Sequence, residues 1–248
     1  MLKLQQRLTR ELQQNRHVKI VKSAHWCIPI RTIEVTYEPI RRSTMDVLMQ
    51  MLLISMQEAN FQNVEELSEL LLVDPLFIGD LVSLMSRVRL IEQTDGFYRL
   101  TPKGEQQLAR GIFEEELEVE TATLLFSPCH QAILPAGEED IEEFDELPEP
   151  YRYVDKEAEQ QEQFDEAMLL AALQQEEEAT SAQKIVETIV TAEAQQINDI
   201  PCLQFILYDK EKNIVYVRVW NTLLNQWDEK LEQQLTEKEQ LQWREQYL

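Results

Sequence analysis

The stretch LIEQTDGFYRLTPKG, residues 90–104, decides the fold of this chain. Two apolar-rich arms flank Asp95-Gly96, a dipeptide that supplies the positive φ angles of a tight hairpin turn. Thr101-Pro102 then starts a helix, because proline at the first helical position loses no intrahelical hydrogen bond. The stretch therefore predicts a β-hairpin that is followed at once by a helix.

Three helices are predicted ahead of this hairpin. Asn63 and Asp74 are the expected N-caps of the second and third, and Ser43 with Asp46 fits a capping box for the first. Apolar residues recur at helical spacing after each cap. On the third helix this spacing predicts four inward-facing side chains, Phe77, Leu81, Met85 and Val88.

A helix pair followed by a hairpin is typical of a winged helix. Residues 96–104, GFYRLTPKG, resemble the wing and the following helix of bacterial winged helix-turn-helix regulators of the MarR and PadR type. The resemblance covers residues 43–110. It implies a domain whose third helix lies in the major groove of DNA while the wing contacts the backbone. The superfamily also contains purely protein-binding members, so the resemblance leaves both uses open.

The whole chain is predicted to be α+β: a winged helix-turn-helix domain plus a small mixed α+β domain with a C-terminal β-hairpin and helix. We expect four parts. They are a basic N-terminal helix and strands (1–42), the winged helix (43–112), an acidic segment with a linker and helix (113–180), and a C-terminal α+β part with a hairpin (202–220) and a helix (225–248). Whether the strands before the winged helix join the C-terminal sheet stays open.

The charge is strongly negative and unevenly distributed. The formal net charge is −23, so nucleic acid and anionic membranes are repelled at long range. Residues 1–44 carry nine Lys/Arg against three Asp/Glu, whereas residues 114–178 carry 22 Asp/Glu against two Lys/Arg. Any DNA contact therefore needs a local basic surface, and the acidic segment suits a basic protein partner.

Seven residues are candidates for contact with nucleic acid or a partner: Arg41, Arg42, Ser83, Arg87, Arg89, Arg99 and Lys103. Base reading favours Arg, Lys, Asn and Gln, and the predicted outer face of the third helix offers few of these. Protein docking is therefore the favoured use of this helix. The basic N-terminal residues either grip DNA phosphates without reading sequence or pair with the acidic segment, in cis or in a partner subunit.

A second candidate is an acidic docking strip for a basic partner, formed by Phe144, Asp145, Glu146, Leu147 and Tyr151. Its aromatic and leucine side chains would anchor the partner among the carboxylates. Two other interpretations remain: a solvated linker, and a phosphate mimic that covers a basic surface of this or another protein.

Catalytic and metal motifs are lacking. Cys27, Cys129 and Cys202 never form a Cys-x-x-Cys pair, and the spacing of His25, Cys27, Cys129 and His130 matches no zinc pattern. Phosphate-loop, nucleophile-elbow and His-Glu-x-x-His motifs do not occur. We expect no catalysis, no cofactor and no metal, with buried free thiols in a reducing compartment.

These observations predict a cytoplasmic protein without a membrane partner, since neither a signal peptide nor a spanning apolar run is found. The favoured function is a non-catalytic winged-helix adaptor or subunit of a larger, DNA-handling assembly that docks proteins and grips DNA at most non-specifically. The alternative is a winged-helix transcriptional regulator with a C-terminal sensing or dimerisation domain. Homo-oligomerisation is compatible with both.

Overall fold

The computed structural model describes residues 1–142, 144, 146–154, 163–175 and 183–247. Helices and strands are mixed throughout, so the expected α+β class is confirmed. Contacts group the chain into two compact units. Unit 1 comprises Met1–Thr36, Thr121–Ala172 and Val190–Leu248, and unit 2 comprises Tyr37–Glu120 and Leu173–Ile189. Unit 1 thus draws on both ends of the chain.

The helices of the described residues are α1 (Leu2–Leu12), α2 (Val47–Glu58), α3 (Val64–Leu71), α4 (Pro75–Arg87), α5 (Pro102–Arg110), α6 (Glu166–Gln175) and α7 (Glu229–Tyr247), with a 3-10 turn at Glu138–Asp140. The strands are β1 (Val18–Thr44), β2 (Ile91–Thr94), β3 (Phe97–Leu100), β4 (Ile112–Glu116), β5 (Glu120–Ser127), β6 (Ala132–Leu134), β7 (Gln183–Asp209), β8 (Ile214–Asn221) and β9 (Gln226–Trp227).

The helices of unit 2 begin at side-chain caps. Asn63 Oδ1 accepts from Glu66 N at 2.9 Å, Asp74 Oδ1 accepts from Leu76 N at 2.9 Å, and Thr101 Oγ1 accepts from Gly104 N at 3.1 Å. These three predicted caps are confirmed. The prediction for the first helix was wrong, because Asp46 is itself the N-cap of α2 and no capping box starts at Ser43.

Strands β2 and β3 form the predicted hairpin. Thr94 pairs with Phe97 across a two-residue turn, in which Asp95 has φ 54° and Gly96 has φ 79°. Two consecutive positive φ angles define a type I′ turn, whose twist matches that of the flanking strands. Tyr98 N also donates to Phe61 O at 2.9 Å, so the segment between α2 and α3 adds one bridge to this small sheet.

A hydrophobic core of its own fills unit 2. Leu52, Leu53, Leu67 and Met85 from the three helices and Leu90 before the hairpin are fully buried. Ile78, Val82 and Met85 form the buried face of α4. Phe77, which the spacing placed inward, is 56% exposed. That prediction was wrong because the buried stripe of α4 begins one residue later, at Ile78.

Unit 1 is built on a sheet in which β6, β5, β1, β7, β8 and β9 are neighbours in that order. The β5–β6, β7–β8 and β8–β9 pairs are antiparallel. The expected C-terminal hairpin is present, with Cys202 opposite Asn221 and Asp209 opposite Ile214, but its first strand begins far earlier, at Gln183. Helix α7 begins at Glu229 rather than near residue 225, because Asp228 Oδ1 accepts a hydrogen bond from Leu231 N at 3.1 Å and caps it.

Candidate docking surface

Strand β4 places three consecutive glutamates, Glu114–Glu116, beside the predicted basic contact residues. It pairs antiparallel with the end of β1, so that Arg41 lies opposite Glu115 and Arg42 lies opposite Glu114. The closest nitrogen–oxygen distances are 3.4 Å for the first pair and 2.7 Å for the second. Arg42 also pairs with Glu187 at 3.1 Å. The two N-terminal arginines therefore face carboxylates of their own chain.

The same strand also reaches the cations after β1. Arg87 Nη2 lies 3.8 Å from Glu115 Oε1, and Lys103 Nζ lies 2.8 Å from Glu116 Oε1. The hydrogen bond and charge of Lys103, with the charge of Arg89, hold the pKa of Glu116 below its usual range. These pairs are half-exposed or exposed, so each contributes little to stability. Their consequence is that the positive charge of these cations is neutralised by glutamates of the same chain.

Three further candidates lie around the hairpin. Arg99 is opposite Glu92 in the β2–β3 register. Arg89 is exposed at φ 60°, and Ser83 is exposed on α4. A cavity of about 730 Å³ separates α4 from the hairpin; Ser83, Ser86, Arg89, Gln93, Tyr98 and Lys103 help to line it. The structure thus gathers Ser83, Arg89 and Lys103 around one groove, whereas Arg41 and Arg42 lie on β1.

A stretch without cations covers most of the helical part of unit 2. From Ser43 to Ser86 the chain has seven Asp/Glu and no Lys, Arg or His. Residues 37–120 together carry sixteen Asp/Glu and seven Lys/Arg, a net charge of −9. This cation-free stretch is visible in the amino-acid sequence alone, although none of the predicted contact residues depended on it.

Exposed apolar side chains mark the corner between α3 and α4. Leu70 is 55% exposed, Leu72 90%, Leu76 82% and Phe77 56%. Leu72 is also the C-cap of α3 and has φ 55°, a left-handed conformation that bulky residues seldom adopt. A second exposed stripe follows one face of α2. Its members are Val47, Met51 and Ile54.

The predicted acidic strip does not form one exposed surface. Tyr151 is 2% exposed, stacks 4.4 Å from the Trp26 ring, and donates from its backbone N to Cys27 O at 2.7 Å. The prediction that Tyr151 anchors a partner was therefore wrong, because the core of unit 1 already holds it. Leu147 and Glu146 are exposed and Phe144 is half-buried. Asp145 lies outside the described residues.

A buried polar network in unit 1 has the order of a nucleophilic triad. Ser127 Oγ lies 2.6 Å from His130 Nδ1, His130 Nε2 lies 2.9 Å from Asp228 Oδ2, and Asn221 Nδ2 donates to Asp228 Oδ2 at 2.9 Å. Burial opposes the charge of Asp228, yet the hydrogen bonds from His130 and Asn221 and the charge of His130 lower its pKa. Ser127 is 0% exposed, so its hydroxyl is closed off from solvent. The network holds β5, β8 and α7 together.

The three cysteines are buried. Burial and the charge of Asp199 raise the pKa of the Cys27 thiol to about 11. Burial raises the pKa of Cys202 as well, with smaller contributions from Asp228, Cys129 and Cys27. Among the described residues, no group of His, Cys, Asp and Glu has the arrangement of a metal site. Cys27 and Cys202 therefore act as core residues whose thiols stay protonated at neutral pH.

No helix within the described ranges is long and apolar enough to cross a membrane. No protein-family model, curated protein or solved structure matches this chain.

Proposed function

We propose that this chain is a non-catalytic, cytoplasmic adaptor or subunit of a larger assembly. In this proposal unit 2 is a winged-helix module that docks a protein and does not read DNA. One observation carries the proposal: four of the six cations expected to meet nucleic acid are paired with carboxylates of the same chain. Arg41, Arg42, Arg87 and Lys103 all contact the glutamates of β4.

The winged-helix part of the proposal is supported by the order of elements in unit 2. Three capped helices precede a type I′ hairpin, and α5 follows directly after Thr101. Thr101 N donates to Leu90 O at 3.0 Å, which fixes the hairpin beside the start of α5. This is the order that the resemblance to winged-helix regulators implies.

Charge argues against DNA as the main ligand of this module. Duplex affinity comes mostly from cations that neutralise phosphates, and it falls steeply as salt rises. In unit 2 a phosphate must first displace Glu114, Glu115 or Glu116 from its partner, within a segment of net charge −9. On α4 the only basic residue is Arg87. We therefore expect DNA binding to be weak and independent of sequence.

The test uses the full-length protein and two measurements. Fluorescence anisotropy with labelled duplexes of arbitrary sequence should show weak binding at low salt that disappears at physiological salt, and Arg87→Ala should change it no more than Arg110→Ala does. In extracts of the source cells, the tagged chain should sediment with a larger assembly of fixed stoichiometry.

Two results would overturn the proposal. Sedimentation of the chain as a free monomer in the extract contradicts an adaptor. Sequence-selective duplex binding at physiological salt that is lost in Arg87→Ala, but kept in Arg110→Ala, identifies the alternative function, a winged-helix transcriptional regulator.

A further inference from the structure

We propose that the corner between α3 and α4 is the docking surface of unit 2 and that it receives a basic, leucine-rich amphipathic segment of a partner protein. The corner is defined by Leu70, Leu72, Leu76 and Phe77. This inference rests on the proposed adaptor function and names the surface and the chemistry of the partner.

The corner exposes an unusual amount of apolar surface. Four large apolar side chains within eight residues are more than half exposed. Isolated exposed leucines are ordinary, but contiguous apolar patches on a protein surface mark interaction sites. These residues surround the short turn at Leu72–Asp74, so they lie close together on one end of the helix pair.

Leu72 adds an independent observation. Its φ of 55° lies in a region where glycine or asparagine usually ends a helix, and its side chain is 90% exposed. Both features disfavour leucine in the isolated chain. Burial of its side chain against a partner accounts for a leucine at this position.

The negative charge around the corner favours a basic partner. Seven carboxylates and no cation lie between Ser43 and Ser86, among them Glu65, Glu66, Glu69, Asp74 and Asp80 on or beside α3 and α4. A second copy of the same surface would bring these carboxylates against each other, which disfavours a symmetric dimer here. A helix with leucines on one face and Lys or Arg on its flanks complements both the apolar and the acidic part.

The experiment uses the full-length protein and three labelled amphipathic peptides of equal length: leucine/lysine, leucine/glutamate and serine/lysine. Anisotropy titration at physiological salt should show binding of the leucine/lysine peptide and at least tenfold weaker binding of the other two. If binding depended on positive charge alone, the leucine/lysine and serine/lysine peptides would bind with equal affinity, and that result would overturn the inference.

Location is tested with Leu72→Asn, a substitution that keeps the left-handed backbone and removes the apolar anchor. Leu72→Asn and Leu76→Ser should each weaken leucine/lysine binding about tenfold, the loss expected for one buried leucine contact. The matched control is Leu241→Ser, since Leu241 is 77% exposed on α7 of unit 1, and it should leave the affinity unchanged. Because Leu72→Asn relieves backbone strain, loss of binding cannot be attributed to unfolding.

Unchanged peptide affinity in Leu72→Asn would refute this docking surface. If the chain nevertheless stays in its assembly in cell extracts, the adaptor function stands and only its docking surface is elsewhere. Sedimentation that shows a dimer of the purified chain, dissociated by Leu72→Asn, would instead identify a second copy as the occupant.

Discussion

Two glycines of unit 2 should respond in opposite ways to the same substitution. A Cβ on Gly104 would lie 2.1 Å from the backbone O of Leu90, whereas a Cβ on Gly79 finds no atom closer than Val64 Cγ1 at 3.9 Å. Leu90 O also accepts the hydrogen bond from Thr101 N. Gly104→Ala must therefore push the hairpin away from α5.

The magnitude follows from three contributions. Forced overpacking costs about 1–3 kcal/mol, and loss of the Thr101–Leu90 hydrogen bond costs about 1 kcal/mol. The better helix propensity of alanine returns up to about 1 kcal/mol. We expect Gly104→Ala to lower the free energy of unfolding by about 1–3 kcal/mol, and Gly79→Ala to raise it by about 0.5–1 kcal/mol.

Urea unfolding measures both effects. All four tryptophans lie in unit 1, so their fluorescence follows that unit, while far-ultraviolet circular dichroism also records the helices of unit 2. A loss of 2 kcal/mol lowers the midpoint by about 1 M urea. The reasoning is refuted if Gly104→Ala is as stable as the wild type, or if both alanine variants shift the midpoint in the same direction.

Three further predictions concern charge and burial. Replacing Glu114, Glu115 and Glu116 together by Gln should strengthen binding of an arbitrary duplex at low salt. In anisotropy titrations the slope of affinity against salt should increase by the equivalent of about three phosphate contacts. A triple Glu→Gln variant on α3 removes the same amount of charge and should change neither quantity. The pKa of Asp228 is lower in the folded protein than in the unfolded chain, so its carboxylate stabilises the fold above about pH 4, and this contribution is lost as pH falls through the folded pKa. Urea titrations should therefore show that Asp228→Asn is less stable than the wild type at pH 7 and loses less stability on acidification. Burial and a pKa of about 11 should make Cys27 react with iodoacetamide at pH 8 far more slowly in the native protein than in urea, as peptide mass spectrometry would show; equal rates would contradict its burial.

The groove and the paired cations show how much of the candidate site the sequence predicts. Arg41, Arg42, Arg87 and Lys103 were identified as contact candidates from their residue type and position. Their partners are Glu114, Glu115 and Glu116, up to 74 residues away in the chain. The β1–β4 register places Arg41 and Arg42 opposite two of these glutamates, while Arg87 on α4 and Lys103 on α5 reach the same strand from their helices. Residue type predicts which groups carry charge, but only tertiary contacts with β4 decide whether the charge of these four cations is paired.

By itself the sequence determined the local parts of this protein. Asp95-Gly96 specified the hairpin turn, and Asn63, Asp74 and Thr101 specified helix starts, because these signals act through backbone dihedrals and hydrogen bonds within a few residues. Only the tertiary structure decided that Tyr151 is buried and that Leu72 is exposed. Both side chains are largely apolar and lie near acidic residues in the sequence. They differ in their contacts with distant strands and helices, which the local sequence does not specify.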